Sequence, residues 1–200
     1  MSRDAPRIAA IVLAAGRSTR MGVENKLLVD IAGTPMVRHV VEAVLASRAR
    51  PALVVTGHQA ADVAAAVAGL AVTLVANADY ATGLSSSLKA GVMALRQPCD
   101  GVLIVLGDMP QIGAEHLDRL VAAFTPDTIV VPVHAGQRGN PVLWPAKYFP
   151  ELLQLEGDAG AKRLIAVHEE HVCEADLGTD AIFVDVDTPA ELAREREERE

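Results

Sequence analysis

"RIAAIVLAAGRSTRMGVENK", residues 7–26, runs from an unbroken apolar stretch into a loop that carries two glycines, Arg17, Arg20 and Lys26. Successive apolar residues without alternation mark a strand buried on both faces, the kind found in parallel sheets covered by helices. The stretch superficially resembles the apolar region of a secretory leader, but it is short and meets Arg17, Arg20 and Lys26 at once, so it reads as a first strand. Small residues at Ala14, Ala15 and Gly16 let backbone approach a ligand closely, and unpaired N–H groups in such a loop cradle anionic oxygens. The spacing excludes two familiar cradles. No G-x-G-x-x-G follows Gly16, and Gly22 is not followed by Lys-Ser or Lys-Thr. Taken alone, a tight turn beside solvated cations explains the loop equally well.

Outward from this strand the same grammar repeats. "ALVVTG" (52–57), "VTLVAN" (72–77) and "GVLIVLGD" (101–108) predict further buried strands, separated by the helices "QAADVAAAVAG" and "SSSLKAGVMAL". "PMVRHVVEAVLAS" (35–47) places Met36, Val40, Val41, Val44 and Leu45 on one stripe, with Thr34 as expected N-cap and Pro35 in the first turn. Each strand ends in Gly, Asn or Asp, which gathers polar residues at the carboxyl edge where open α/β sheets bind ligands. After "TIVVPV" (128–133) the pattern loosens into a Gly- and Pro-rich region, read as a turn, a short pairing strand and a lid or subdomain, before "IFVDVDTPAEL" closes the chain. The fold class is therefore α/β, a mostly parallel sheet between two helical layers.

Composition bounds the function. The chain has 200 residues, half of them apolar, enough for one sizeable core. A net charge of −8 and only six aromatic residues (three Phe, two Tyr, one Trp) argue against nucleic-acid and membrane-surface partners. Much of the excess acid lies in "ELAREREERE" (191–200), read as a solvated terminal helix or frayed tail. Cys99 and Cys173 lack metal or disulfide spacing and read as two buried thiols in a reducing cytoplasm.

The opening loop resembles the motif L-A-x-G-x-S-x-R-M-G followed by lysine of the small nucleotidyltransferases, through Leu13, Ala14, Ala15, Gly16, Ser18, Arg20, Met21, Gly22 and Lys26. Within that superfamily the chain is most similar to the molybdenum cofactor cytidylyltransferases. "NADYATGLSSSLKAG" (77–91), "LGDMPQ" (106–111), "RGNPVL" (138–143), "GDAGAKRL" (157–164) and "DVDTPAEL" (185–192) match that family in order and spacing. The resemblance implies a single-domain three-layer sandwich with a Rossmann-like nucleotidyltransferase fold over 1–200. A nucleotide-binding part would span about 7–112, an acceptor-binding part about 113–192, and an acidic tail 193–200. It implies transfer of CMP from CTP to the phosphate of molybdenum-molybdopterin with release of pyrophosphate, aided by Mg²⁺ or Mn²⁺. A molybdenum-enzyme apoprotein would receive the product. The expected form is a cytoplasmic monomer or weak dimer.

Residue by residue, Asp108 follows the run "GVLIVL" and is placed to hold Mg²⁺ against nucleotide phosphates. As a cap for the helix starting near Gly113 it would be too distant. Asp187 is the second ligand implied by the resemblance, with Asp185 left open, and Asp187 or Thr188 before Pro189 is also a good helix start. Arg20 and Lys26 take the phosphates, Arg20 by forked contacts and Lys26 as a point charge; with Asp108 they form the catalytic set. Leu13, Ala14, Ala15, Gly16, Gly57, Thr82, Gly83 and Ser86 complete the nucleotide side. Arg138, Gly139 and Asn140 are acceptor-side candidates, or simply a hairpin turn. His58 reads as a surface histidine, and Ser18 lacks a neighbouring base that would make it a nucleophile.

Ala15 stands where guanylyltransferase relatives usually carry glycine, which favours CTP. A guanylyltransferase of the same cofactor and a cytidylyltransferase acting on an isoprenoid precursor are the near alternatives. A dinucleotide-dependent oxidoreductase would need an acid after strand two, where Thr56, Gly57 and His58 stand. A non-catalytic cofactor-binding chaperone would not need both Asp108 and Asp187.

Overall fold

Along β1 (Ile8–Ala14) every residue is buried, and the side chains divide between two cores as strand geometry requires. Ile8, Ala10, Val12 and Ala14 face one core and Ala9, Ile11 and Leu13 the other. The computed structural model describes residues 5–18, 25–157 and 161–197. Among them the chain forms β2 (Asp30–Ile31), β3 (Thr34–Pro35), α1 (Met36–Ala46), β4 (Ala52–Thr56), α2 (Ala60–Ala66), β5 (Thr73–Ala76), α3 (Leu84–Met93), β6 (Gly101–Leu106) and α4 (Ala114–Ala122). There follow β7 (Ile129–His134), β8 (Gln137–Arg138), β9 (Val142–Pro145), α5 (Phe149–Leu152), α6 (Lys162–Val167), β10 (Val172–Asp176) and α7 (Pro189–Glu197).

The main sheet runs β10-β7-β9-β6-β1-β4-β5, with β8 paired to β7. Pairings of β1 with β4 and β6, of β4 with β5 and of β10 with β7 are parallel. One face is covered by α1, α2 and α4 through Val40, Val44, Val63, Leu117 and Leu120. The other is covered by α3, α5 and α6 through Leu88, Val92, Leu152, Leu164 and Ile165. The three layers and the mostly parallel sheet are those read from the sequence.

Four details differ from that reading. Thr34 does not cap α1, because it pairs with Ile31 in the β2–β3 ribbon; the first helical N–H, of Met36, is instead satisfied by the Val29 carbonyl at 2.9 Å. The short pairing strand expected after residue 133 is present, but inside the sheet: β9 lies antiparallel between β6 and β7 with Trp144 fully buried. Prolines at 141 and 145 make its run too short to read as a central strand. The acidic end is docked as far as α7 reaches, since Leu192 and Glu195 are buried and Gln111 Nε2 donates to Glu195 Oε2 at 2.8 Å. Cys99 and Cys173 are free thiols, but each is only half-buried. Of "GDAGAKRL", residues 158–160 lie outside the described residues.

Candidate functional site

The carboxyl ends of β1, β4, β5 and β6 open on one edge of the sheet, and the segments that leave them build a single cleft. The loop after β1 is tied down by two backbone bonds, His58 N–H to the Ala15 carbonyl (3.2 Å) and Gly107 N–H to the Leu13 carbonyl (3.0 Å). Ser18 sits at φ 51°. Its hydroxyl donates to Asn25 Oδ1 (3.2 Å) and accepts from the Lys26 N–H (3.1 Å). Asn25, itself buried, caps a 3-10 turn at Lys26–Leu28 by accepting from the Leu27 N–H. Ser18 is thus a brace for the lysine.

Lys26 Nζ donates to Asp108 Oδ2 at 2.5 Å and to Asp187 Oδ1. Burial works against its ammonium, but attraction by Asp108 and Asp187 outweighs this and raises the pKa. Asp108 stands just past β6, and its carbonyl accepts from the Val186 N–H at 3.0 Å, which fastens the 183–187 segment beside it. Asp187 is not the helix cap: Thr188 Oγ1 accepts from the Glu191 N–H, while Glu191 Oε2 accepts from the N–H groups of Asp187 and Thr188. This capping box does not use the Asp187 carboxylate, and Asp187 lines the cleft. Gly113 precedes α4 as its N-cap residue, so Asp108 has no capping role either.

Oxygens of Asp108, Asp185 and Asp187 lie within 4.8 Å of one another. Like charges so close repel by roughly 3 kcal/mol per pair at an effective dielectric constant of about 20. Partial desolvation pushes the Asp185 carboxyl up, and repulsion from Asp108 and Asp187 adds to it, although the residue is exposed. Asp108 Oδ1 is buried without a hydrogen-bond partner. An all-oxygen donor set with an unsatisfied carboxylate oxygen fits a hard divalent cation. Lys26 supplies the only positive charge seen between Asp108 and Asp187 among the described residues.

The cleft encloses about 370 Å³ and is lined by Leu13, Ala15, Gly16, Lys26, Gly83, Asp108 and Asp187, all singled out in the sequence, together with Ser18, Tyr80, Leu84, Ser87 and Leu106. A space of this size suits a small molecule. Gly83, at φ 119°, turns the chain into α3, a conformation that favours glycine. Ala14 lies fully buried behind the loop. Gly57 does not line the cleft, but a Cβ there would fall 2.5 Å from Tyr80 Cβ and 2.8 Å from Ala15 Cβ, so its lack of a side chain lets these residues close together. Thr82 and Ser86 spend their hydroxyls on the carbonyls of Asp79 and Gly83. Arg20 lies outside the described residues.

Arg138, Gly139 and Asn140 do not line the cleft. Arg138 is held by Glu169 (2.5 and 2.8 Å) and Glu174 (2.7 Å). A Cβ on Gly139 would lie 2.3 Å from the Ile182 carbonyl oxygen, and Asn140 N–H donates to that oxygen at 3.0 Å. Gly139 and Asn140 therefore seat the segment that leads to Asp185 and Asp187. The hairpin turn itself falls earlier, at Ala135–Gly136 between β7 and β8.

Sequence reasoning missed Asn25, Asn77 and Tyr80. Asn77 Nδ2 donates to Ser86 and Ser87 (2.9 and 3.0 Å) and so orders the start of α3. Asn25 directly precedes Lys26 and two leucines, a cap pattern that was legible; Tyr80 lies in the matched stretch 77–91 but was given no role there. No helix among the described residues is long and apolar enough to cross a membrane.

Residues 10–172 match the family model of the MobA-like NTP transferase domain. The purine catabolism protein PucB of Bacillus subtilis (strain 168) is 31% identical, over 93% of this chain and 94% of its own length. A probable molybdenum cofactor guanylyltransferase of Natronomonas pharaonis is also 31% identical, over 94% of this chain and 96% of its own. The crystal structure of Rv0371c from Mycobacterium tuberculosis H37Rv superposes with a TM-score of 0.86 at 28% identity, covering 97% of this chain and 100% of that one, and the same protein has been solved in complex with manganese (TM-score 0.79, 27% identity, 96% and 98% coverage).

Proposed function

The chain belongs to the MobA-like NTP transferase family, and from that membership we propose that it transfers CMP from CTP to the terminal phosphate of molybdenum-bearing molybdopterin, releasing pyrophosphate. The observation that carries this reading is Lys26 clasped between Asp108 and Asp187 at the mouth of the small-residue loop. The triphosphate lies along Ala15 and Gly16, where backbone N–H groups meet its oxygens. Asp108 and Asp187 hold a divalent ion, Mg²⁺ or Mn²⁺, which supplies charge neutralisation on the phosphates. Lys26 turns from the carboxylates to the phosphate oxygens and, with Arg20, stabilises the charge that spreads over the transferring group. The acceptor phosphate attacks in line, its oxygen bonding to the α-phosphorus as the bond to the β-phosphate oxygen breaks. A phosphate dianion needs no general base at neutral pH. Arg138 serves the acceptor phosphate by exchanging its bonds to Glu169 and Glu174 for bonds to substrate.

Cytosine is favoured by Ala15, which lines the cleft and puts a methyl where guanylyltransferase relatives usually carry glycine, narrowing the space left for a base. A second reading, GTP as donor, is favoured by the guanylyltransferase named above. Pyrophosphate release measured with each nucleoside triphosphate, with molybdenum-loaded molybdopterin and Mg²⁺, separates the two. CTP as the best donor supports the proposal; turnover with GTP and none with CTP overturns the base assignment.

A further inference from the structure

The sequence "HEEH", residues 168–171, joins α6 to β10 and takes no part in the cleft. His168 closes α6, its N–H donating to the carbonyls of Leu164 and Ile165, and a 3-10 turn follows at Glu169–His171, closed by the His171 N–H to the His168 carbonyl (2.8 Å). Residues three apart stack in such a turn. The two imidazoles accordingly lie on one side, ring centroids 6.3 Å apart. His171 Nδ1 is closed to solvent, has no hydrogen-bond partner, and lies 3.3 Å from Glu170 Oε1. His168 Nε2 lies 2.7 Å from Glu151 Oε2, and the ring packs against Tyr148 at 4.8 Å between centroids. One donor atom from each of His168, Glu170 and His171 lies within 4.8 Å of the other two.

We propose that His168, Glu170 and His171 form a second metal site, distinct from the carboxylate cleft, that takes a first-row transition ion of the zinc type. Two imidazoles and one carboxylate suit zinc and its neighbours, whereas Mg²⁺ asks for oxygen alone. Donors around zinc at about 2.1 Å stand roughly 3.4 Å apart, so small rotations of the half-exposed Glu170 and His171 close the set. The fourth position is left to solvent. Glu151 fixes one ring from α5, as carboxylates do behind metal-bound histidines. Glu151, Glu170, Glu169 and Glu174 make the neighbourhood acidic, with Arg138 balancing the last two. The ion would staple α5, α6 and the start of β10, and would fix the turn whose Glu169 holds Arg138. This inference does not depend on the reading of the nucleotide cleft.

The test is calorimetric titration of the chelator-stripped full-length chain with Zn²⁺, paired with thermal melts. A zinc site that raises Tm is expected in the wild type, in Asp108→Asn/Asp187→Asn and in Cys173→Ser. Its affinity should fall at least about tenfold in His171→Gln, and the site should vanish in His168→Gln/His171→Gln, with each histidine variant first shown to be folded by circular dichroism. Zinc binding that disappears with the two aspartates or with Cys173, or that survives loss of both histidines when these are removed in the Asp108→Asn/Asp187→Asn background, overturns the proposal. So does a wild-type chain that binds no Zn²⁺.

Discussion

Lys26 occupies the position of a cation between two acids that the backbone itself holds together. The Val186 N–H bond to the Asp108 carbonyl fastens the segment that carries Asp187 beside Asp108. Removing the ammonium then leaves two like charges in a partly buried cleft, which is costly. In Lys26→Ala we expect a lower Tm than wild type in the presence of chelator, and we expect Mn²⁺ to recover most of that deficit by standing in for the lost charge. Melts with and without Mn²⁺ check this; a deficit indifferent to the ion would place Lys26 outside the carboxylate pair. The same variant should lose about 10²–10³ in turnover, the scale of removing one charge stabiliser from a transition state.

At the scale of elements, α7 starts on a box built by Thr188 and Glu191 and not by the Asp187 carboxylate. The N–H of Asp187, then Thr188, hold the Glu191 carboxyl below its usual pKa. A folded value below the unfolded one means stability that is full above the unfolded pKa and is lost as pH falls through the folded one. Glu191→Gln should therefore melt below wild type at pH 7, and the gap should close under about pH 4. Melts of both proteins across pH 3–7 measure it; a gap that persists at pH 3 would show that the box stabilises by packing alone. Much of this was readable in the chain: Thr188 before Pro189 and Glu191 is a cap pattern, and Asp108 was marked by its place after an apolar run. What was not readable was contact across the sheet. That Gly139 and Asn140 seat Ile182, and through it the 183–187 segment, depends on β9 entering the sheet antiparallel between β6 and β7, a placement that local pattern does not encode.

Over the whole molecule, the sheet order brings four strand ends, the loop after β1 and the segment before α7 to one edge, so residues from 13 to 187 line a single cleft. The α/β alternation and the glycine loop were legible because they are local and periodic. Tyr80 entered only through the close approach that Gly57 permits, and the His168–His171 pair only through a 3-10 turn that periodicity does not reveal. One cleft would thus join an anion cradle to a divalent ion held by Asp108 and Asp187. The most direct test is an anomalous difference map from crystals grown with Mn²⁺ and a non-hydrolysable CTP analogue. A manganese peak bonded to both carboxylates and to phosphate oxygens, with Lys26 turned onto the phosphates, is expected. A peak remote from Asp108, or a nucleotide bound away from Ala15 and Gly16, would contradict it.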